Sequence, residues 1–105
     1  KHIADARDIF HGCKCVIGKE KSVGQIYQLA GPTAFTWDEA IARLADIRSL
    51  PVLEVKVEGV PTFYEFSIEK AERDLKFMPQ YDITRMIDDA LSFQSGNTLG
   101  VLPHG

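Results

Sequence analysis

The sequence predicts an α/β fold whose elements follow the order α-β-α-β-α-α. Two short segments alternate in polarity as strands do, and the segments around them carry apolar residues at helical spacing and begin at capping residues. Two strands separated by a capped helix favour a right-handed parallel βαβ unit. Because two strands make a poor sheet and a parallel sheet needs cover on both faces, we expect this unit to extend or flank a larger sheet.

The first predicted element is a helix over residues 5–17, since apolar or small residues recur there about every 3.6 positions. Asp5 is suited to cap its N-terminus and Gly18 to end it. After a charged turn, residues 25–30 alternate as a strand that ends at Gly31. The apolar stripe of the helix comprises Ala6, Ile9, Phe10, Cys13, Val16 and Ile17.

The second predicted helix runs from Thr36 to about Arg48 and opens with the sequence Thr-Trp-Asp-Glu at residues 36–39. This is a capping box, in which the threonine hydroxyl accepts a backbone N–H of the first turn and the glutamate reaches back to the threonine N–H. Trp37, in that first turn, is expected in the core. Residues 52–57 then alternate as a strand with one solvated face.

Residues 58–66 form a predicted loop that is unusually aromatic for a connection. Ser67 is predicted to cap a short helix that ends near Leu75. Asp82 is predicted to cap the last helix, over residues 83–94. Its apolar stripe comprises Ile83, Met86, Ile87, Ala90 and Leu91.

The last segment has two features that predict which parts of it contact solvent and which contact the rest of the protein. The adjacent acids Asp88 and Asp89 are expected on the solvated face of the helix, rather than as a catalytic carboxylate pair. In the tail from residue 98 to 105, Leu99, Val101 and Leu102 are expected to dock on another part of the protein.

Composition restricts the class of protein. A chain of 105 residues with 45% hydrophobic and 26% charged residues fits one soluble globular domain. The net charge of −3, with acids and bases interspersed, offers no basic stripe for nucleic acid. Apolar runs are too short for a membrane span, and no secretory signal opens the chain. These features predict a cytoplasmic protein without nucleic-acid or membrane partners.

The segment His11-Gly12-Cys13-Lys14-Cys15 holds three potential metal ligands. Side chains two positions apart on a helix point to different sides, so Cys13 and Cys15 are badly placed to chelate or to pair. We therefore predict no metal site, and expect one core thiol and one half-exposed thiol in a reducing compartment.

Four stretches carry a family resemblance through their order and spacing: residues 2–5 (His-Ile-Ala-Asp), 24–31, 36–39 and 67–79. Together they resemble the late part of the extended short-chain dehydrogenase/reductase family, the NAD-dependent epimerases and dehydratases. The resemblance covers residues 2 to about 94. It implies that residues 1–105 are a single C-terminal substrate-binding segment of a larger NAD(P)-dependent enzyme, whose N-terminal Rossmann part is absent.

The departures from the family pattern bear on the substrate. Ser67 stands where the family has Asp, and Lys76 where it has Gly, so the turn at residue 76 must tolerate a side chain. Nucleotide-sugar enzymes often carry an Arg near residues 56–60 that clamps the diphosphate, whereas this chain has Lys56 and the repelling Glu58. In the family the aromatic loop lies over the substrate cleft, which makes Tyr64, Glu65 and Lys56 the predicted substrate-binding residues.

The sequence motifs that bind the cofactor and perform catalysis in this family are absent from this chain. It contains neither G-x-x-G-x-x-G, which binds the dinucleotide pyrophosphate, nor a Tyr-x-x-x-Lys pair. The nearest match is Tyr81 with Arg85, which we interpret as packing and helix surface. The chain is therefore expected to bind no cofactor and to hold no catalytic residue. NAD or NADP would belong to the parent enzyme.

The resulting hypothesis is the substrate-binding C-terminal part of an NAD(P)-dependent epimerase/dehydratase-like enzyme, inactive in isolation. Its substrate would be sugar-like, nucleotide sugars included. An apolar surface would face the missing Rossmann part, and it comprises Phe10, Ile26, Leu29 and the stripe of residues 83–94. We therefore expect an exposed apolar patch on this chain and the formation of homo-oligomers. The alternative from another class is an autonomous small α/β binding or interaction module without catalysis, monomeric and with a closed core. A third hypothesis is that the chain belongs to a non-catalytic relative with the same fold.

Overall fold

The structure, a computed structural model, describes residues 1–100. Within this range the regular structure is helical. It comprises α1 (Ala6–Val16), a single 3₁₀ turn (Glu20–Ser22), α2 (Trp37–Arg48), α3 (Glu69–Leu75) and α4 (Ile83–Gln94). None of these helices is long and apolar enough to cross a bilayer. The tail residues Val101 and Leu102 lie outside the described part of the chain, so their predicted docking has no structural outcome here.

The predicted α/β fold with a parallel βαβ unit is wrong, because residues 1–100 contain no strand. A strand exists only where a neighbouring backbone accepts and donates its hydrogen bonds. Residues 52–57 have no such neighbour, and Leu53 and Val57 are 85% and 83% exposed. Residues 25–30 instead use alternate side chains for packing, since Tyr27 and Leu29 lie on the core and Ile26 is exposed.

The ends of the helices show the capping interactions that were predicted from the sequence. The carboxylate of Asp5 accepts the Arg7 N–H at 2.8 Å, and the carboxylate of Asp82 accepts the Arg85 N–H at 2.8 Å. Gly18 lies beyond the C-terminus of α1 with a φ of +73°, which suits glycine. The boundaries of α1, α2 and α4 were therefore predictable to within one or two residues.

The start of α3 differs from the prediction. Its N-cap is Ile68, and Ser67 lies one residue earlier, where its hydroxyl accepts the Glu69 N–H at 3.4 Å. The helix ends at Leu75, and its C-cap residue Lys76 adopts the left-handed conformation with a φ of +59°. A side chain is thus accommodated at the position where the resembling family has glycine.

The apolar core lies between α1 and α3. Ala71, Leu75 and Phe77 are buried, and partly buried side chains surround them, namely Cys15, Tyr27, Leu29 and Ile68. Gly12 on α1 allows close approach, because a Cβ at this position would lie 2.5 Å from the Leu29 Cδ1. This core holds α3 against α1 and the extended residues 27–29.

A buried carboxylate connects α1 to the segment that leads into α4. Asp8 is 2% exposed, and its two oxygens accept the backbone N–H groups of Gln80 at 2.9 Å and Tyr81 at 3.0 Å. Each oxygen thus pairs a backbone donor that would otherwise be unsatisfied. The contact fixes the entry into α4 relative to α1.

Ion pairs place α4 against α2 and α1. The Arg43 guanidinium on α2 makes hydrogen bonds of 2.8 and 2.9 Å to the two oxygens of Asp88, and Arg7 on α1 donates to Asp89 at 2.7 Å. The expectation that Asp88 and Asp89 only solvate the helix is therefore wrong. Adjacent carboxylates diverge around α4, so one helix can bind two different neighbours.

The chain start packs along residues 31–35. The backbone of Lys1 exchanges two hydrogen bonds with Phe35, at 2.6 and 2.8 Å, and Gly31 donates to the Ile3 carbonyl at 2.7 Å. A Cβ at residue 31 would lie 2.7 Å from that carbonyl oxygen, so the close approach requires glycine. These contacts bring residues 1–3 beside the start of α2.

We expect Asp8→Asn to lower the free energy of unfolding by about 2–3 kcal/mol, because an amide offers one acceptor where two N–H groups need one each. Urea denaturation followed by circular dichroism measures the change. Asp46→Asn is the matched control, since Asp46 is an exposed residue near the C-terminal end of α2. Equal unfolding free energies for Asp8→Asn and the unmodified chain would contradict the role assigned to this carboxylate.

Candidate functional site

A groove with a volume of about 620 Å³ lies between the start of α2 and the aromatic loop. We call it the aromatic groove. It is lined by Lys1, residues 34–39 and residues 61–65. Ligand pockets for small molecules commonly measure about 300–1,000 Å³. The groove is therefore large enough for a small organic ligand of the size of a sugar.

The α2 side of the groove is fixed by capping and by one buried ring. The Thr36 hydroxyl accepts the Glu39 N–H at 3.2 Å, and the Glu39 carboxylate accepts the Thr36 N–H at 2.8 Å. Phe35, 6% exposed, anchors the segment, and Trp37 meets it edge to face with 5.7 Å between ring centroids. The indole of Trp37 therefore has a defined orientation although it is 59% exposed.

The loop side of the groove presents further aromatic surface. Tyr64 packs on Phe66 with ring centroids 5.5 Å apart, and the Lys1 ammonium lies 5.0 Å from the centroid of the Tyr64 ring. Phe63 is 84% exposed. Aromatic faces of this kind offer apolar platforms, and the tyrosine hydroxyl adds a polar contact.

The charges along the groove are mainly negative. Asp38, Glu39 and Glu65 line it, and Lys1 is the cation among its lining residues. Carboxylates repel phosphate but accept hydrogen bonds from hydroxyl groups. Aromatic platforms combined with carboxylate acceptors thus suit a neutral polyhydroxylated ligand better than a diphosphate.

The predicted substrate-binding residues divide into two groups. Tyr64 and Glu65 line the aromatic groove, whereas Lys56 does not line it and lies on the exposed extended segment of residues 52–57. Trp37 was expected in the core and instead lines the groove, so that prediction is wrong. Its position directly after an N-cap was the available signal, because a side chain in the first turn has no preceding helical turn to pack on.

A second cluster surrounds the Arg7 guanidinium. It makes hydrogen bonds of 2.8 and 2.9 Å to the two oxygens of Asp5, donates to Asp89, and lies 3.7 Å from the centroid of the Tyr81 ring. Arg85 lies 4.3 Å from the same centroid. Hydrogen bonding from Arg7 holds the pKa of Asp5 below its ordinary value of 3.8. With its donors directed at two carboxylates, Arg7 acts as a structural residue.

Within the described part of the chain, the thiols and histidines form no chelating group. The Cys15 sulfur lies 3.6 Å from His11 Nε2. Of the expected core thiol and half-exposed thiol, Cys15 packs on the core and is partly buried, whereas Cys13 is exposed. Among residues 1–100, no three side chains of His, Cys, Asp or Glu come together as metal ligands would. His11 also stacks on Phe77, with 5.9 Å between ring centroids, which gives it a packing role.

No family model, curated protein or solved structure matches the chain.

We expect the stability difference between the unmodified chain and Asp5→Asn to be largest near neutral pH. Asparagine caps a helix as well as aspartate does, so the variant removes mainly the ion pair with Arg7. Because the folded-state pKa of Asp5 is lowered, its contribution is complete above 3.8 and is lost as pH falls through the lower folded value. Urea titrations from pH 7 to 2 measure this difference.

Glu54→Gln, at an exposed site, serves as the control for that series. Its unfolding free energy should follow that of the unmodified chain throughout the pH range. A constant difference between Asp5→Asn and the unmodified chain from pH 7 to 2 would contradict the ion-pair contribution.

Proposed function

We propose that this chain is the substrate-binding part of a larger NAD(P)-dependent epimerase/dehydratase-like enzyme, and that its aromatic groove holds a sugar-like substrate. The observation that carries the proposal is the position of Tyr64 and Glu65. Both were selected from the sequence, and both line a groove of suitable volume beside Trp37. Substrate choice would then lie in this part of the enzyme.

The exposed surface supports a role within a larger assembly. The accessible area is 8265 Å², whereas a compact monomer of this mass exposes about 5,900 Å². The radius of gyration is 16.8 Å, against about 13 Å for a compact domain of this length. A surface this extended has room for contact with another domain.

Large apolar residues are part of this exposed surface. Phe10 is 66% and Ile26 is 89% exposed, as the hypothesis of a covering domain requires, and residues 52–57 add further exposed side chains. Leu29, by contrast, packs on the core between α1 and α3. Homo-oligomer formation through the exposed residues stays a prediction. The alternative of an autonomous binding module expects a closed core, and the exposed area counts against it.

The cofactor would bind outside this chain. Neither the glycine-rich pyrophosphate turn nor a Tyr-x-x-x-Lys pair occurs in the 105 residues, so they do not fit a dinucleotide. Hydride transfer and its proton relay would belong to the Rossmann part. The proposal places the enzyme in the cytoplasm, where the thiols of Cys13 and Cys15 stay reduced.

The enzymatic part of the proposal is tested on the product of the complete gene. We expect its reading frame to encode G-x-x-G-x-x-G and Tyr-x-x-x-Lys, and the purified protein to bind NAD(H) or NADP(H) in a fluorescence titration. A gene product that lacks both motifs and binds neither dinucleotide would remove the enzyme from the proposal.

The groove is tested separately through Trp37, which is the single tryptophan of the chain. Titration with glucose, galactose or mannose should change its fluorescence saturably, and uridine diphosphate glucose should bind no more tightly than the free sugar. Tyr64→Ala should weaken sugar binding about threefold to tenfold, because one aromatic platform is lost.

Two variants control this titration. Phe10→Ala removes an exposed ring on α1, and Lys56→Ala removes the predicted cation that does not line the groove. Both should leave sugar binding unchanged. Much tighter binding of uridine diphosphate glucose that depends on Lys56 would show that the substrate-binding surface lies along residues 52–57 instead.

A further inference from the structure

His2 joins three segments of the chain at one buried ring. It is 6% exposed, and its Nδ1 accepts the Phe66 N–H at 3.0 Å. Its Nε2 lies 2.8 Å from the Gly31 carbonyl oxygen. The imidazole also stacks on the Phe66 ring, with centroids 6.1 Å apart and planes inclined by 24°. The ring therefore connects the chain start, residues 31–35 and the aromatic loop.

The two contacts determine the tautomer. A backbone N–H only donates, so Nδ1 facing Phe66 must carry a lone pair; a carbonyl oxygen only accepts, so Nε2 facing Gly31 must carry the proton. The imidazole is thus neutral with its proton on Nε2.

We propose that His2 is a positioning residue for the aromatic groove, which it holds together only in this neutral form. Phe66 supports Tyr64 directly, and Lys1, next to His2, is bonded to Phe35. The ring therefore ties the loop wall of the groove to the segment that leads into α2. Its effect on ligand binding rests on the function proposed above, whereas its effect on the loop does not.

Acid should release the loop. Histidine is the side chain that changes charge between about pH 5 and 8. A second proton would bind to Nδ1, which would then be a donor directed at the Phe66 N–H. Because two donors cannot form a hydrogen bond, the hydrogen bond between His2 and Phe66 would be lost. The bond to Gly31 would persist, because Nε2 keeps its proton. The loop carrying Tyr64 is therefore the part that should loosen.

Charged side chains lie on two of the three segments that meet at the ring. Lys1 and Asp5 lie on its own segment, and Glu65 lies on the loop beside Tyr64, while residues 31–35 carry no titratable side chain. Asp5 is paired with Arg7 and Lys1 lies over Tyr64. The direct conflict with the Phe66 N–H decides the sign of the effect.

The test is ¹⁵N nuclear magnetic resonance of the unliganded protein between pH 8 and 5. At pH 8 the His2 ring should show a protonated Nε2 and an unprotonated Nδ1. On acidification, the exchange of the Phe66 amide, corrected for its intrinsic rate, should accelerate about tenfold with the same midpoint as the ring. The Tyr81 amide, held by Asp8, should keep its protection and so report that the fold persists.

Two conservative variants separate the two bonds. His2→Asn places an acceptor near the position of Nδ1 and does not titrate, so Phe66 should stay protected at both pH values. His2→Gln places a donor near the position of Nε2, so the Phe66 amide should exchange fast at both. His11→Gln, at the histidine of α1, should leave the pH profile of Phe66 unchanged.

Two results would overturn the proposal: a proton on Nδ1 at pH 8, or a Phe66 amide whose protection is the same at pH 8 and 5 while the ring titrates. Failure of the groove to bind sugar is a distinct outcome. If sugars leave Trp37 fluorescence unchanged while Phe66 exchange follows the ring, the ligand class is wrong and the positioning role of His2 stands.

Discussion

The arrangement of this chain depends on the Asp8 carboxylate, which accepts the two backbone N–H groups that precede α4. A buried charge is costly unless hydrogen bonds satisfy it, and here each oxygen has a partner. The contact fixes α4 relative to α1, and the ion pair between Arg43 and Asp88 then places α2 against α4. The apolar core is small, because the main cluster has three buried members, Ala71, Leu75 and Phe77, and the other buried apolar residues among residues 1–100 are Ala30, Phe35 and Ala40. Polar contacts between distant segments therefore determine much of the tertiary structure.

The local structure was predictable where its cause lies within a few residues. Asp5, Thr36 and Asp82 cap helices as their side chains dictate, and the apolar spacing located α1, α2 and α4. The two strands were not predictable in this way, because alternation specifies a strand only together with a neighbour to pair with. Residues 52–57 carry the alternation of a strand but meet no second backbone within the described residues. Whether a segment has a neighbouring backbone depends on the tertiary structure, which the local polarity pattern does not encode.

The candidate site was predictable in part for the same reason. Tyr64 and Glu65 were selected because the family that the chain resembles places this loop over its substrate cleft. Their neighbours in the groove, Trp37 and Asp38, come from a different segment, and no local sequence pattern indicates that the two segments meet. Lys56 was selected for its charge, yet charge does not place a side chain in a groove. His2 was visible as a residue of the resembling motif, whereas its two hydrogen bonds depend on residues 29 and 64 positions away.

These long separations have a consequence for how the chain folds. Two hydrogen bonds close long loops: the bond between Phe66 and His2 closes a loop of 64 residues, and the bond between Gln80 and Asp8 closes one of 72 residues. Loop closure of this length carries an entropic cost that local helix formation does not, so the capped helices should form first and the groove late. During synthesis His2 and Asp8 emerge before their partners at residues 66 and 80–81. Both side chains must therefore stay unpaired until those partners have left the ribosome, and in this interval they are most open to wrong contacts.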